Sequence, residues 1–181
     1  MIHYNNYKLP DGLEYVGDGW TVRKTATCKG NETFEFIKTL CQRLIVHPDP
    51  MIVPVYSFKY LGACADFSHK YQYDMRRLGD LSKEETETIW QVGDAWRAGS
   101  SDPTRIFVPK PVFEGYIPAD KAWEKYPKLM HFLQEVIKLD RYHDLHGENV
   151  MMDEDENYRL IDVEGFLNPP LARPSNAWIR D

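Results

Sequence analysis

Apolar positions along the chain change period several times, and each change marks an element. Residues 13–16 and 20–25 are short alternating runs. In the second, Trp20, Val22 and Lys24 share one face, while Thr21, Arg23 and Thr25 share the other. Asp18-Gly19 between the runs is a hairpin signal, and Pro10-Asp11-Gly12 is a turn that follows an earlier candidate strand at residues 2–9. The period then lengthens. Phe34, Ile37, Leu40, Cys41 and Leu44 recur at helical spacing, which predicts a helix over residues 32–46 with Asn31 as its cap. His47-Pro48-Asp49-Pro50 ends it, since proline cannot continue a helix. Alternation returns at residues 51–60, broken early by Pro54, and at residues 68–75, where Tyr71 and Tyr73 flank Gln72.

The second half is more helical. Ser82-x-x-Glu85 is a capping box that opens a helix running to about residue 96, with Ile89, Val92 and Trp96 inward. Residues 99–118 carry Gly, Ser and Pro between a few apolar side chains and are expected to form a long ordered loop. Leu129, Phe132, Leu133, Val136 and Ile137 make a strong helical stripe that reads as core. Residues 150–152 and 158–161 read as a hairpin around the acidic turn Asp153-Glu154-Asp155-Glu156-Asn157. Residues 168–181 hold three prolines and read as a tail or strap.

At 181 residues the chain allows one domain or two small lobes. Its 43% hydrophobic and 13% aromatic content fits a globular protein. A net charge of −6 argues against a broad nucleic-acid or anionic-membrane surface. Cys28, Cys41 and Cys64 are odd in number and widely separated, which suggests a reducing compartment. No signal peptide and no apolar run of about 20 residues is evident, so a cytoplasmic protein without a membrane partner is expected.

The candidate chemistry lies around the hairpin. Folding it is expected to bring Asp144, Asn149 and Asp162 to one end. Two carboxylates and an amide there suit Mg²⁺, which prefers hard oxygen ligands and keeps room for waters and phosphates. One carboxylate can instead orient a hydroxyl nucleophile.

Asp144-Leu145-x-x-x-Asn149, a short hairpin and Ile161-Asp162-Val163-Glu164 together resemble the catalytic and metal loops of the protein-kinase-like superfamily. His146 after Asp144-Leu145 is similar to the aminoglycoside and choline phosphotransferase branch, and to short kinase-like proteins of bacteriophage genomes. The resemblance implies an α+β, minimal protein-kinase-like fold. Its small lobe, residues 1–75, would be a five-stranded antiparallel sheet with one helix. Its large lobe, residues 76–181, would be truncated and mainly helical.

The resemblance also implies roles. Asp144 would be the catalytic base, and Asn149 and Asp162 would hold Mg²⁺. Val22 would pack on the ATP base and Lys24 would reach phosphate. Glu35 of the helix would pair with Lys24, with Glu32 as its competitor. Tyr73 would flank the adenine, and backbone groups of Asp74, Met75 and Arg76 would bind its edge. The implied activity is transfer of the ATP γ-phosphate to a hydroxyl of a protein or small molecule. The alternative is a pseudokinase that binds a partner or host protein, in the host cytoplasm if phage-encoded.

The chain departs from the family pattern in three ways. Gly17 and Gly19 do not make a G-x-G-x-x-G phosphate loop. Tyr142 and His143 stand where protein kinases often have His and Arg. Only 16 residues follow Gly165, so the activation segment and the peptide-binding helices are expected to be missing. Aromatic surface left by such a truncation is expected to be covered by a second copy, making a homodimer.

Overall fold

A computed structural model of the chain describes residues 8–97 and 119–167. The elements are β1 (Leu13–Val16), β2 (Thr21–Cys28), α1 (Asn31–Val46), β3 (Val55–Ala63), β4 (His69–Arg76), α2 (Lys83–Arg97), α3 (Ala119–Lys125), α4 (Pro127–Leu139), β5 (Val150–Met152) and β6 (Tyr158–Leu160). The class is α+β. The described sheet is antiparallel and four-stranded, in the order β1-β2-β4-β3, and β5 pairs with β6. The fifth strand expected at residues 2–9 falls almost wholly outside the described residues, as do the loop at 99–118 and the tail at 168–181.

The chain divides into two compact units. One is Met1–Asp80 with Met152–Glu164, and the other is Leu81–Met151 with Gly165–Asp181. The sequence reading drew one cut after residue 75. The structure returns residues 152–164 to the first unit for a hydrogen-bonding reason. Val53 N–H donates to the Leu160 carbonyl and Leu160 N–H to the Met51 carbonyl, each at 2.8 Å, and Gly79 and Met152 exchange bonds of 2.8 and 3.0 Å.

In the first unit α1 buries Phe34, Ile37, Cys41 and Leu44, while β4 buries Tyr71, Tyr73 and Met75. Phe34 sits among Phe58, Tyr60, His69 and Tyr71, with ring centroids 4.8 to 6.3 Å apart. A fully buried apolar side chain such as Ile37 contributes about 1.5–3 kcal/mol. Asn31 does not cap α1. Its Oδ1 accepts from His69 Nε2 at 2.7 Å, and the cap position is Gly30, at φ 87°, with no side-chain bond. Asn31 is drawn to this imidazole and so leaves the helix start to the glycine.

The acidic turn is less solvated than its composition suggests. Asp153 is only 3% exposed and accepts from the backbone of Asp155 and Asn157 at 3.0 and 2.9 Å, and from Arg159 Nε at 2.8 Å. Arg159 also donates to the Asp49 carbonyl, so the turn is tied to the segment before β3.

In the second unit the capping box forms as read. Glu85 Oε2 accepts from Ser82 N–H at 2.9 Å, and Glu85 N–H donates to Ser82 Oγ at 3.2 Å. Two such caps satisfy helix-end donors that would otherwise be orphaned. Helix α4 buries Leu129, Met130, Leu133, Val136 and Ile137. Met130 joins the inner face, and Phe132 is only half-buried. Among the described residues, no helix is long and apolar enough to cross a membrane.

Candidate functional site

Strand register builds the cluster in the first unit. Lys24 of β2 pairs directly with Tyr73 of β4, so their side chains share a face, and Tyr71 lies two residues along on that same face. The segment after β6 brings two carboxylates to this face. Lys24 Nζ donates to Asp162 Oδ1 at 2.8 Å and to Glu164 Oε2 at 2.9 Å. Tyr71 and Tyr73 hydroxyls donate to the two oxygens of Glu164, at 2.8 and 2.9 Å. Glu164 N–H turns back to Asp162 Oδ1 at 3.2 Å.

Burial and charge compete in this cluster. Desolvation alone pushes the Lys24 ammonium down, yet Glu164 and Asp162 together carry it above its ordinary value. Desolvation raises Glu164, and its hydrogen bond with Asp162 adds to the rise. Asp162 resists the same desolvation, because Glu164 and Lys24 hold its carboxyl below the usual range. One amine thus keeps one acid firmly ionised and leaves the other poised higher. The thiol of Cys41, on the buried face of α1, is pushed up to about 12, by burial first and then by the Glu164 charge.

In the second unit residues 140–149 form a loop closed by a 3-10 turn, Gly147–Asn149. Asn149 is buried and donates its amide to the Asp144 backbone carbonyl at 2.9 Å and to Asp144 Oδ2 at 3.0 Å. Both amide hydrogens point at Asp144, which leaves Oδ1 as the acceptor end of Asn149. His146 Nδ1 accepts from Glu148 N–H at 3.3 Å, so a neutral ring carries its proton on Nε2, which lies 3.5 Å from Asp144 Oδ2. The ring stacks on Trp90 of α2 at 4.6 Å. The Asp144 side chain is 55% exposed, beside this ordered support.

Two glycines let α2 and the loop meet. A Cβ at Gly93 would run into the Leu145 carbonyl, and one at Gly147 into Thr86 and Trp90. Arg97 of α2 donates to that Leu145 carbonyl at 3.0 Å. A glycine inside a helix costs about 1 kcal/mol relative to alanine, and here the close approach is what requires it. Gly93 was a visible signal, since it interrupts an otherwise helical stretch.

Of the residues singled out by sequence, Lys24 and Asp162 meet in the first unit, Asp144 and Asn149 in the second, and Val22 is buried on β2. Three expectations need correction. Glu35 does not pair with Lys24. It is exposed and bonds Lys38 one turn along α1, at 3.1 Å, while α1 turns only apolar side chains and Cys41 inward. Glu164 takes the partner's place, a residue quoted in the motif but given no role. Tyr73 does not border an opening. It is fully buried, with its hydroxyl on Glu164. Finally, Asp74, Met75 and Arg76 lie within the interior strand β4, paired with β2 on one side, and their backbone is not free for an adenine edge. Asp74 and Met75 also pair with β3, and Arg76 N–H donates to the Pro54 carbonyl at 3.0 Å. The Asp74 carboxylate forks onto Arg23 at 2.7 and 2.9 Å, and Arg76 pairs with Glu154.

A scan against protein-family models and a search of curated proteins found no match to this chain. Among the described residues no group of three or more His, Cys, Asp or Glu gathers as a metal site. Each unit taken by itself carries a hard oxygen donor of the kind Mg²⁺ prefers, the Asp162 carboxylate in the first and the Asn149 Oδ1 in the second. Lys24 is the kind of compact point charge that suits a phosphate oxygen.

Proposed function

We propose that the protein is an ATP-dependent phosphotransferase that moves the γ-phosphate to a hydroxyl of a protein or small molecule. The observation that supports this most strongly is Lys24 in hydrogen-bond contact with Asp162, 138 residues away in sequence, on the same unit as its Glu164 partner. The second support is the Asp144–Asn149 pair, in which a buried amide orients an exposed carboxylate.

Bound Mg²⁺-ATP would supply the transferable phosphoryl group and a cation against its charge. In this reading Lys24 exchanges part of its contact with the carboxylates for a phosphate oxygen. The residues that would hold the cation are Asp162 and Asn149. Asp144 would accept a hydrogen bond from the acceptor hydroxyl and take its proton as the hydroxyl oxygen bonds the γ-phosphorus, while the bond from that phosphorus to the β–γ bridging oxygen breaks and ADP leaves. His146, with its Nε2 proton toward Asp144, restrains that carboxylate. The larger share of the acceleration comes from positioning and preset charge.

Radiolabelled-ATP assays test it. Asp162→Asn is expected to abolish Mg²⁺-ATP-dependent transfer while the protein stays folded, and Asp144→Asn to lower it by roughly 10²–10⁴-fold. Unchanged turnover in Asp162→Asn would sink the reading.

A second reading is a kinase-like binding protein that acts on a partner without catalysis. It is favoured by the closure of the Lys24 cluster, in which the amine already has two carboxylates. Calorimetry separates the two: no heat with ATP and Mg²⁺ would leave an interaction protein.

A further inference from the structure

We infer that Glu164, fixed by the Tyr71 and Tyr73 hydroxyls, is the positioning residue for the Lys24 ammonium, in place of any carboxylate of α1. Its meaning for catalysis rests on the phosphotransfer reading, but the ion pair itself does not.

The geometry points this way on three counts. Both oxygens of Glu164 are engaged by tyrosine hydroxyls of one strand, and Oε2 also accepts from Lys24, so the carboxylate has a set orientation. Tyr73 is the direct cross-strand neighbour of Lys24, so donor, acid and amine are aligned by the sheet register itself. Helix α1 has nothing to offer in exchange. Its inward positions are Phe34, Ile37, Cys41 and Leu44, Glu35 is bound to Lys38, and Glu32 is exposed. Lys24 is therefore placed by β2, β4 and the 162–164 segment. A shift of α1 would not break the pair, whereas loss of the tyrosine hydroxyls would loosen it. Such a lysine is held ready without help from the helix.

The direct test is NMR on the full chain, reading couplings across hydrogen bonds from the Lys24 Nζ to carboxylate carbons. The expected result is a correlation from Lys24 to the Glu164 side-chain carboxyl, kept in Glu35→Gln and Glu32→Gln and weakened in Tyr71→Phe/Tyr73→Phe. A correlation to Glu32 or Glu35, or one unaffected by loss of both hydroxyls, overturns the proposal. A second measurement uses Mg²⁺-ATP in calorimetry and turnover assays. Glu164→Gln is expected to weaken nucleotide binding about tenfold, the size of one lost charge-assisted contact, and to raise the KM for ATP more than it lowers kcat. Glu35→Gln is expected to change neither. The reverse ranking counts against Glu164. If the wild type binds no nucleotide, the phosphotransfer reading fails and the NMR correlations alone decide the ion pair.

Discussion

The Lys24 cluster and the Asp144 loop both gather polar side chains, yet they balance charge in opposite ways. In the first, an amine and two acids lie largely out of water, each with its partner and two tyrosine hydroxyls around them. In the second, a neutral amide is buried and the charged carboxylate it orients is half in solvent. The difference follows from desolvation. A charge taken from water needs a paired, hydrogen-bonded setting, whereas an exposed one needs only aim. The first arrangement makes each charge part of the packing, and the second leaves its charge largely apart from it.

Removing one charge from the closed cluster should cost most. Lys24→Met is expected to lower stability by about 3 kcal/mol in urea unfolding, because two acids then face each other without a cation. Adding Glu164→Gln should return part of that loss, and a strictly additive double variant would refute the coupling. Next comes the notch beneath the loop. Gly93→Ala is expected to cost about 2 kcal/mol, since a Cβ there meets the Leu145 backbone rather than a side chain that can move. Tyr73→Phe should cost about 1.5 kcal/mol by taking a donor from a carboxylate. The smallest effect belongs to the open loop. Asp144→Asn is expected to stay within about 0.5 kcal/mol of wild type while phosphotransfer falls. A melting point as low as that of Lys24→Met would erase the contrast between the two regions.

Acid should reveal the same division. Burial pushes the Asp153 carboxyl up, but the Asn157 backbone and Arg159 outweigh it and hold the folded-state pKa below the usual carboxylate range. A depressed acid stabilises above its unfolded pKa and loses that contribution as pH falls through the folded value. Urea midpoints are therefore expected to drop as pH is lowered from about 5 to below 3, and less steeply in Asp153→Asn. Glu164 works against this trend, because its raised pKa makes its charged form the costly one.

Among the described residues, strands β1, β2 and β4, the stop at Pro48 and Pro50, the capping box and most of the α4 stripe were legible because each rests on local chemistry. Phe34 and Ile37 announce their face by spacing alone. Asn31 misled because a nearby histidine outbid the helix end, and that histidine is 38 residues away. Glu35 misled for a related reason. A helical glutamate looks the same whether it faces a lysine across a core or one on its own surface. Glu164 was in view, two residues after Asp162, but the tyrosines that fix it are more than 90 positions earlier and meet it only through strand register. The backbone of Asp74 to Arg76 was expected to be open to an adenine edge because nothing local says that β4 is an interior strand.

The Lys24 unit is discontinuous, with its closing segment at 152–164. On a ribosome adding about 5–20 residues each second, the 140 positions between Lys24 and Glu164 keep the amine without its acids for several seconds to half a minute. Over that interval β2 and β4 can pair, but two tyrosine hydroxyls and an ammonium face an unfilled seat. The nascent sheet should thus be a target for chaperones until the segment carrying Asp162 and Glu164 emerges.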